Sequence, residues 1–212
     1  MPERRPPSPA CEDEAREVLQ KTRAAIAAAG VSSAAAACLS MRWPRSGGAG
    51  FLITAAPEQA FLPLGREPAI LWLPMEERRG APPVAEPLPT DEWRLHRDLY
   101  RLRTDVEAIV RCRPTYATAI ACSRAASPEG VPVFHPDVAS VAGGPLVRAD
   151  CGLPGSPLRS APLLAALASR TACLLDGWGL LACGASPAAA ASRAAEIEAL
   201  ARIWWHVLQL ER

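Results

Sequence analysis

Residues 88–121 read LPTDEWRLHRDLYRLRTDVEAIVRCRPTYATAIA, and they are the most informative part of the sequence. It predicts a helix over about 90–103, because Thr90 is a favourable N-cap and apolar side chains then recur at helical spacing. The mostly apolar run 108–112 predicts a strand, and a second helix is expected to start near Pro114. The stretch therefore predicts a helix, a strand and a helix in immediate succession.

The flanking sequence extends this pattern in both directions. Residues 1–11 are rich in proline and predict a disordered tail, whereas 12–212 predict a single domain. Helices and strands are interspersed along that domain, which indicates an α/β or α+β class. The expected helices are 12–29, 162–169 and 187–210; the expected strands are 37–43, 50–54, 69–73, 131–134, 145–147, 172–175 and 179–183, with loop-rich stretches over 74–90 and 127–160.

Composition excludes several classes of function. A net charge of +1 over 212 residues gives no reason to expect a nucleic-acid partner. The seven cysteines show no C-x-x-C pair, which favours buried thiols in a reducing compartment over disulfides or a zinc knuckle. The polar N-terminus lacks the apolar core of a signal peptide, and charged residues interrupt the most apolar late stretch, 161–184. We therefore expect a cytoplasmic protein without a membrane span.

The decisive stretch resembles the signature of the class II aldolase/adducin family. In that family a Ser-Ser-Glu turn opens a helix of the form Glu-x-x-x-His-x-x-x-Tyr, and the motif Arg-Pro-Asp-Val-x-Ala-Val-Val-His-Thr-His-Ser-Pro-Tyr-Ala-Thr-Ala follows. Here Glu92, His96 and Tyr100 fall on the helix motif without a gap. Residues 174–184 resemble the family's later Leu-Leu-x-Asn-His-Gly-Leu-Leu-x-x-Gly hairpin. The resemblance implies a three-layer αβα sandwich around a mixed, largely antiparallel sheet.

The resemblance also shows which catalytic groups are present. Family enzymes hold a divalent metal with three histidines, two on the strand and one on the later hairpin, beside a glutamate that moves protons. The glutamate is kept as Glu92, whereas the histidine positions carry Arg111, Arg113 and Trp178. A guanidinium and an indole N–H have no lone pair to give a metal. We therefore expect no metal and no other cofactor, although Glu92 stays a candidate acid/base.

The parts of the family that hold a phosphate differ as well. The asparagine of the Gly-Asn-x-Ser segment falls on Ala37 or Cys38, and Ala55 replaces the proline of the Ile-Thr-Pro segment. Asp91 stands in the turn before Glu92, where its carboxylate would repel a phosphate. These changes point away from an ordinary phosphorylated sugar as the ligand.

Each candidate residue also has a structural interpretation. Glu92 suits the first turn of a helix, and Arg111 and Arg113 either pair with it and Asp91 or form an anion site on one strand face. Cys112, between the two arginines, is expected to face the other way. Trp178 and Tyr116 either plug the former metal cavity or offer a stacking surface for a ligand. His135 follows Phe134 on a loop near the expected rim of the site and is a further candidate substrate contact, whereas His96 is expected to serve packing or hydrogen bonding.

Two functions remain open at this point. The first is a non-catalytic or regulatory family member that pairs with itself or with an active homologue, using apolar residues of the last helix such as Trp204, Trp205 and Val207. The second is a metal-free lyase, decarboxylase or isomerase that acts on a small carboxylate or carbonyl compound. In that enzyme Glu92 would move the proton, and Arg111 with Arg113 would clamp the anion.

Overall fold

The computed structural model describes residues 9–33, 37–55, 69–76, 90, 92–123, 127–152 and 158–211. The helices there are α1 (Glu12–Ala28), α2 (Trp93–Leu102), α3 (Thr115–Cys122), α4 (Pro136–Ala142), α5 (Ser160–Ala166) and α6 (Pro187–Leu210). The strands are β1 (Cys38–Arg42), β2 (Gly50–Thr54), β3 (Ile70–Pro74), β4 (Ala108–Cys112), β5 (Gly130–Val131), β6 (Leu146–Ala149), β7 (Ala172–Leu175) and β8 (Gly179–Gly184).

The strands form one sheet in the order β3-β2-β1-β4-β8-β7-β6-β5. All neighbours pair antiparallel except β6 and β7, which are parallel. One buried cluster contains residues of α1, α3, α4 and α6, and a second contains residues of α2 and α5. The predicted three-layer αβα sandwich around a mixed, largely antiparallel sheet is therefore confirmed.

Successive residues of strand β4 point alternately to the two buried clusters on either side of the sheet. Ala108, Val110 and Cys112 belong to the cluster under α1 and α6, whereas Ile109 belongs to the cluster under α2. This alternation follows from the two-residue period of a strand. Cys112 thus faces away from Arg111, as predicted, and burial raises the pKa of its thiol to about 12.

Two sequence predictions are wrong in detail. Thr90 is not the N-cap of α2, because Glu92 holds that position and the helix begins at Trp93. The loop-rich stretch 127–160 contains a helix, α4, which was not predicted. A proline in its first turn and Gly143 after its end, with a φ of 78°, were readable signals for it.

Other predictions lie partly outside the described residues. These include most of the tail 1–11 and most of the loop 74–90. The predicted helix 162–169 is observed earlier along the chain, at Ser160–Ala166.

Within the described part, the structure has no helix whose length and hydropathy would let it cross a membrane. All seven cysteines are free thiols, and five of them are buried.

Candidate active site

A buried ion pair joins Glu92, at the start of α2, to Arg111 on β4. Arg111 Nε donates to Glu92 Oε2 at 3.0 Å, and Arg111 Nη2 lies 2.5 Å from Glu92 Oε1. The two side chains are only 8% and 5% exposed. Burial alone would lower the pKa of Arg111, but the Glu92 carboxylate raises it overall, so the guanidinium stays charged. Two-point contact of this kind is the strong form of a guanidinium–carboxylate pair.

The two-residue repeat of strand β1 and the four-residue spacing along α2 place the side chains around this pair. Cys38 lies opposite Arg111 in the pairing of β1 with β4, so their side chains share a face of the sheet. Ser40 follows on the same face because successive strand residues alternate. The start of α2 lies over this row, where Glu92 and His96 are four residues apart and therefore on one side of the helix.

A line of hydrogen bonds continues the site beneath α2. Cys38 Sγ lies 3.4 Å from Thr90 Oγ1 and 3.9 Å from His96 Nε2. Ser40 Oγ then contacts both His96 Nδ1, at 2.7 Å, and Tyr100 Oη, at 2.8 Å. Burial, together with the charge of Arg111, lowers the pKa of His96 to about 3, so its imidazole is neutral. His96 thus has the hydrogen-bonding role that the sequence predicted for it.

Cys38, Glu92 and His96 form the group among the described residues that most resembles a metal site. Their donor atoms all lie within 4.8 Å of one another. Burial, followed by the charge of Glu92, raises the pKa of Cys38 to about 12, so without a bound metal this side chain is a neutral thiol. Both oxygens of Glu92 face Arg111, whose fixed positive charge would repel a cation. The group therefore fits a hydrogen-bonded thiol and imidazole better than it fits a divalent metal.

Arg113 and Trp178, the two other residues that the sequence resemblance aligns with family histidines, lie beside the end of β4. Arg113 is exposed, and its backbone N–H donates to Ser32 Oγ at 3.2 Å. Gly179, directly after Trp178, has a φ of +120°, and a Cβ there would lie 2.5 Å from the carbonyl oxygen of Cys112 and 3.2 Å from the Cα of Arg113. The hairpin therefore packs tightly against the strand, and only glycine fits at this contact.

Trp178 and the remaining candidates are held by separate contacts. Trp178 is partly buried against the cluster under α2, and its Nε1 donates to the carbonyl oxygen of Gly152 at 2.7 Å. Tyr116 packs against the opposite cluster, with its ring 5.8 Å from that of Trp205. His135 is exposed and caps α4 by accepting from the Asp137 N–H at 3.2 Å. Of the candidates named from the sequence, the structure brings together Glu92 and Arg111.

Three members of this site were not predicted to contact its other residues: Cys38 was named only as a replaced phosphate-holding position, Thr90 only as an N-cap, and Ser40 not at all. Cys38, Ser40 and Thr90 all contact side chains of the motif or its neighbours, yet none belongs to the matched signature stretch as a functional residue. The alternation of Cys38 and Ser40 on one strand face was visible in the sequence. What the sequence did not give was the register that places this face under α2.

Comparison with known proteins identifies the fold family. The family model described as the class II aldolase and adducin N-terminal domain matches residues 17–205. The chain belongs to this family. Within the family, it is 35% identical over 122 residues to a 5-methylthioribulose-1-phosphate/5-deoxyribulose-1-phosphate aldolase of Rhodospirillum rubrum, covering 58% of this chain and 53% of that protein. It is 30% identical over 123 residues to the L-fuculose phosphate aldolase of Escherichia coli, covering 58% and 55%. The matches thus span about half the length of these relatives.

Solved structures agree with the family assignment. An L-fuculose 1-phosphate aldolase superposes with a TM-score of 0.74 at 23% identity, covering 96% of this chain and 90% of the other. A sugar-phosphate aldolase of Thermotoga maritima gives a TM-score of 0.70 at 22% identity, covering 93% and 97%. At these identities the likeness shows the shared fold.

Proposed function

We propose that this chain is a divergent class II aldolase/adducin domain that holds no metal at the family's site and serves as a non-catalytic or regulatory subunit. The observation that carries this proposal is the buried two-point contact between Arg111 and Glu92. It places a permanent cation at a position where the family's enzymes have a metal ligand. It also engages both oxygens of the one acid/base candidate that the chain retains.

The energetics favour the ion pair over a metal. At a separation of about 4 Å and an effective dielectric constant of about 20, a guanidinium and a divalent cation repel by about 8 kcal/mol. Binding of a structural zinc ion contributes about 10 to 16 kcal/mol, so this repulsion would offset about half to four-fifths of it. A cation at Glu92 would also have to displace Arg111, which would leave the guanidinium buried without its partner.

The proposed ligand class also differs from that of the relatives, whose names specify sugar phosphates. Positions that hold a phosphate in the family are engaged within the fold: Cys38 contacts Thr90 and His96, and the Leu39 N–H donates to Thr54 Oγ1 at 3.1 Å. We therefore propose that this chain does not bind a phosphorylated sugar in the family's manner.

A partner role would use the end of α6. Ile203, Trp205 and Leu210 are 49%, 37% and 87% exposed there, so three large apolar side chains reach the surface within the last two turns of the helix. We propose that this end contacts a second copy of the chain or a histidine-bearing homologue, in the cytoplasm, where the thiols stay reduced. Co-purification of such a homologue, lost in Trp205→Glu and kept in an exposed control such as Glu196→Gln, would support this role. Monomeric behaviour with no bound homologue would contradict it.

The alternative is a metal-free lyase, decarboxylase or isomerase with Glu92 as acid/base. The observation that favours it is the arginine beside the carboxylate, since the pair could bind a small carboxylate or enolate if Glu92 were released. Screening small carboxylates by thermal shift separates the two functions. A specific shift in the wild type that is lost in Arg111→Ala supports the enzyme. If Arg113 completes an anion clamp, Arg113→Ala should weaken the same shift; no shift with any carboxylate supports the non-catalytic role.

A further inference from the structure

The guanidinium of Arg148, on β6, uses all five of its N–H groups in hydrogen bonds within the fold, and its side chain is only 9% exposed. Nη1 donates to the carboxylate of Asp176 at 3.0 Å. The other four bonds go to main-chain carbonyl oxygens, those of Ile120, Ala121, Ser123 and Ser127. Because every donor is used, these contacts indicate a role inside the fold and not the binding of a ligand.

Three of these carbonyl groups lie at the C-terminal end of α3. This helix has eight residues and no basic residue in its own last turn. Nη1 of Arg148 donates to Ala121 O at 2.7 Å, and Nη2 donates to Ser123 O at 2.6 Å and to Ile120 O. The last carbonyl groups of a helix carry a partial negative charge, so a cation stabilises them. Arg148 therefore supplies, from β6, the cation that α3 lacks.

The same guanidinium holds the turn 176–178 between β7 and β8. Besides the carboxylate contact, the N–H of Gly177 donates to Ala121 O at 3.2 Å. The turn and Arg148 thus share an acceptor at the end of α3. Trp178 is the next residue of the turn, so the position of its backbone depends on these two contacts.

We propose that Arg148 is the positioning residue for Trp178, because it fixes the turn that carries this indole against the end of α3. Helix α3 begins three residues after the end of β4, so the contact also ties the turn to the strand that bears Arg111. The inference deepens the proposed function and rests on it in one respect. With no metal to join the hairpin to the strand, Arg148 makes this connection through α3.

The test is hydrogen exchange of the full chain, measured by mass spectrometry on peptides that cover β7, the turn and β8. In Arg148→Met, we expect the amide protons of residues 176–179 to exchange at least about tenfold faster, because the loss of one hydrogen bond to a charged group shifts a local opening equilibrium by about this factor or more. The amide protons of β8 that pair with β4 should be affected less. Equal acceleration in the turn and in β8 would overturn the proposal, since it would show only a general loss of stability.

Arg42→Met is the matched control. The Arg42 guanidinium also donates to main-chain carbonyl groups at the end of a helix, α2, with Nη2 2.7 Å from Arg103 O. It lies beside the start of β4, however, whereas the turn lies beside the end of that strand. Arg42→Met should therefore lower the stability without a selective effect on the turn. Arg148→Lys keeps the charge but has three donors for five acceptors, so full protection of the turn in this variant would overturn the role of the guanidinium.

The fluorescence of Trp178 gives a second readout, obtained by subtracting the spectrum of the same variant with Trp178→Phe. It should shift to the red in Arg148→Met, as the indole gains access to water, and stay unchanged in Arg42→Met; no shift in Arg148→Met would overturn the proposal. If Arg148→Met does not fold, Asp176→Asn takes its place, because it weakens the charged contact with the turn and leaves the guanidinium present. Neither readout involves a metal, so metal analysis tests the proposed function separately and the two can fail independently.

Discussion

Replacing Arg111 by alanine should destabilise the protein severely. The substitution leaves the carboxylate of Glu92 buried without its counter-charge, at a side chain that is only 5% exposed. Breaking a buried pair in this way costs about 3 to 5 kcal/mol. For a chain of this length, that loss lowers the midpoint of thermal unfolding by about 6 to 20 °C. Urea unfolding, followed by the fluorescence of the six tryptophans, measures it directly.

The exposed Arg113 provides the matched control for this experiment. Arg113→Ala removes the same chemical group two residues along the chain and should change the stability by no more than about 0.5 kcal/mol. The double variant Arg111→Leu/Glu92→Leu removes both charges and should recover most of the loss, because neither ion is then left unpaired. Equal, small effects of Arg111→Ala and Arg113→Ala would refute the view that the ion pair is a structural unit of the site.

Two further predictions concern the surroundings of the site. His96 has a pKa of about 3 in the folded protein, below its unfolded value of 6.5, so the unfolded state binds more protons between these two values. As the pH falls through that window, His96 should lower the free energy of unfolding by about 1.4 kcal/mol per pH unit. His96→Gln should therefore flatten this part of the acid-unfolding curve, and an unchanged curve would contradict a neutral, buried imidazole. Gly179→Ala should lower the free energy of unfolding by more than about 2 kcal/mol, because the φ of Gly179 is +120° and the new Cβ would lie 2.5 Å from the Cys112 oxygen. Gly47→Ala is the control and should be nearly neutral, because a Cβ there meets nothing within 4 Å. Similar urea midpoints for the two variants would contradict the tight hairpin contact.

Local patterns in the sequence were sufficient for most of the secondary structure. The strand predicted over 108–112 is observed with those bounds, because a short apolar run in a central strand has little freedom at its ends. The helix predicted over 187–210 is also observed as predicted, since Ser186 caps it and Pro187 opens it. Helix α4 escaped prediction because seven residues give a weak periodic signal.

The sequence predicted only the part of the site that lies within the family motif, residues 92–113. The pairing of Arg111 with Glu92 was one of the alternatives that the sequence left open, and the structure confirms it. The contacts of Cys38 with Thr90 and His96 join residues more than 50 positions apart. They depend on the strand register and on the position of α2 on the sheet. No local pattern specifies such contacts, and the propensity of Thr90 for an N-cap pointed to a different role.

In the proposed function, the Arg111–Glu92 pair stands where the family's enzymes hold a metal. Metal analysis of the purified protein, equilibrated with zinc and then desalted, tests it most directly. We expect no stoichiometric zinc, iron or manganese in the wild type, and a gain of zinc in the control variant Arg111→His/Arg113→His/Trp178→His. Stoichiometric metal in the wild type that disappears in Glu92→Gln would contradict it.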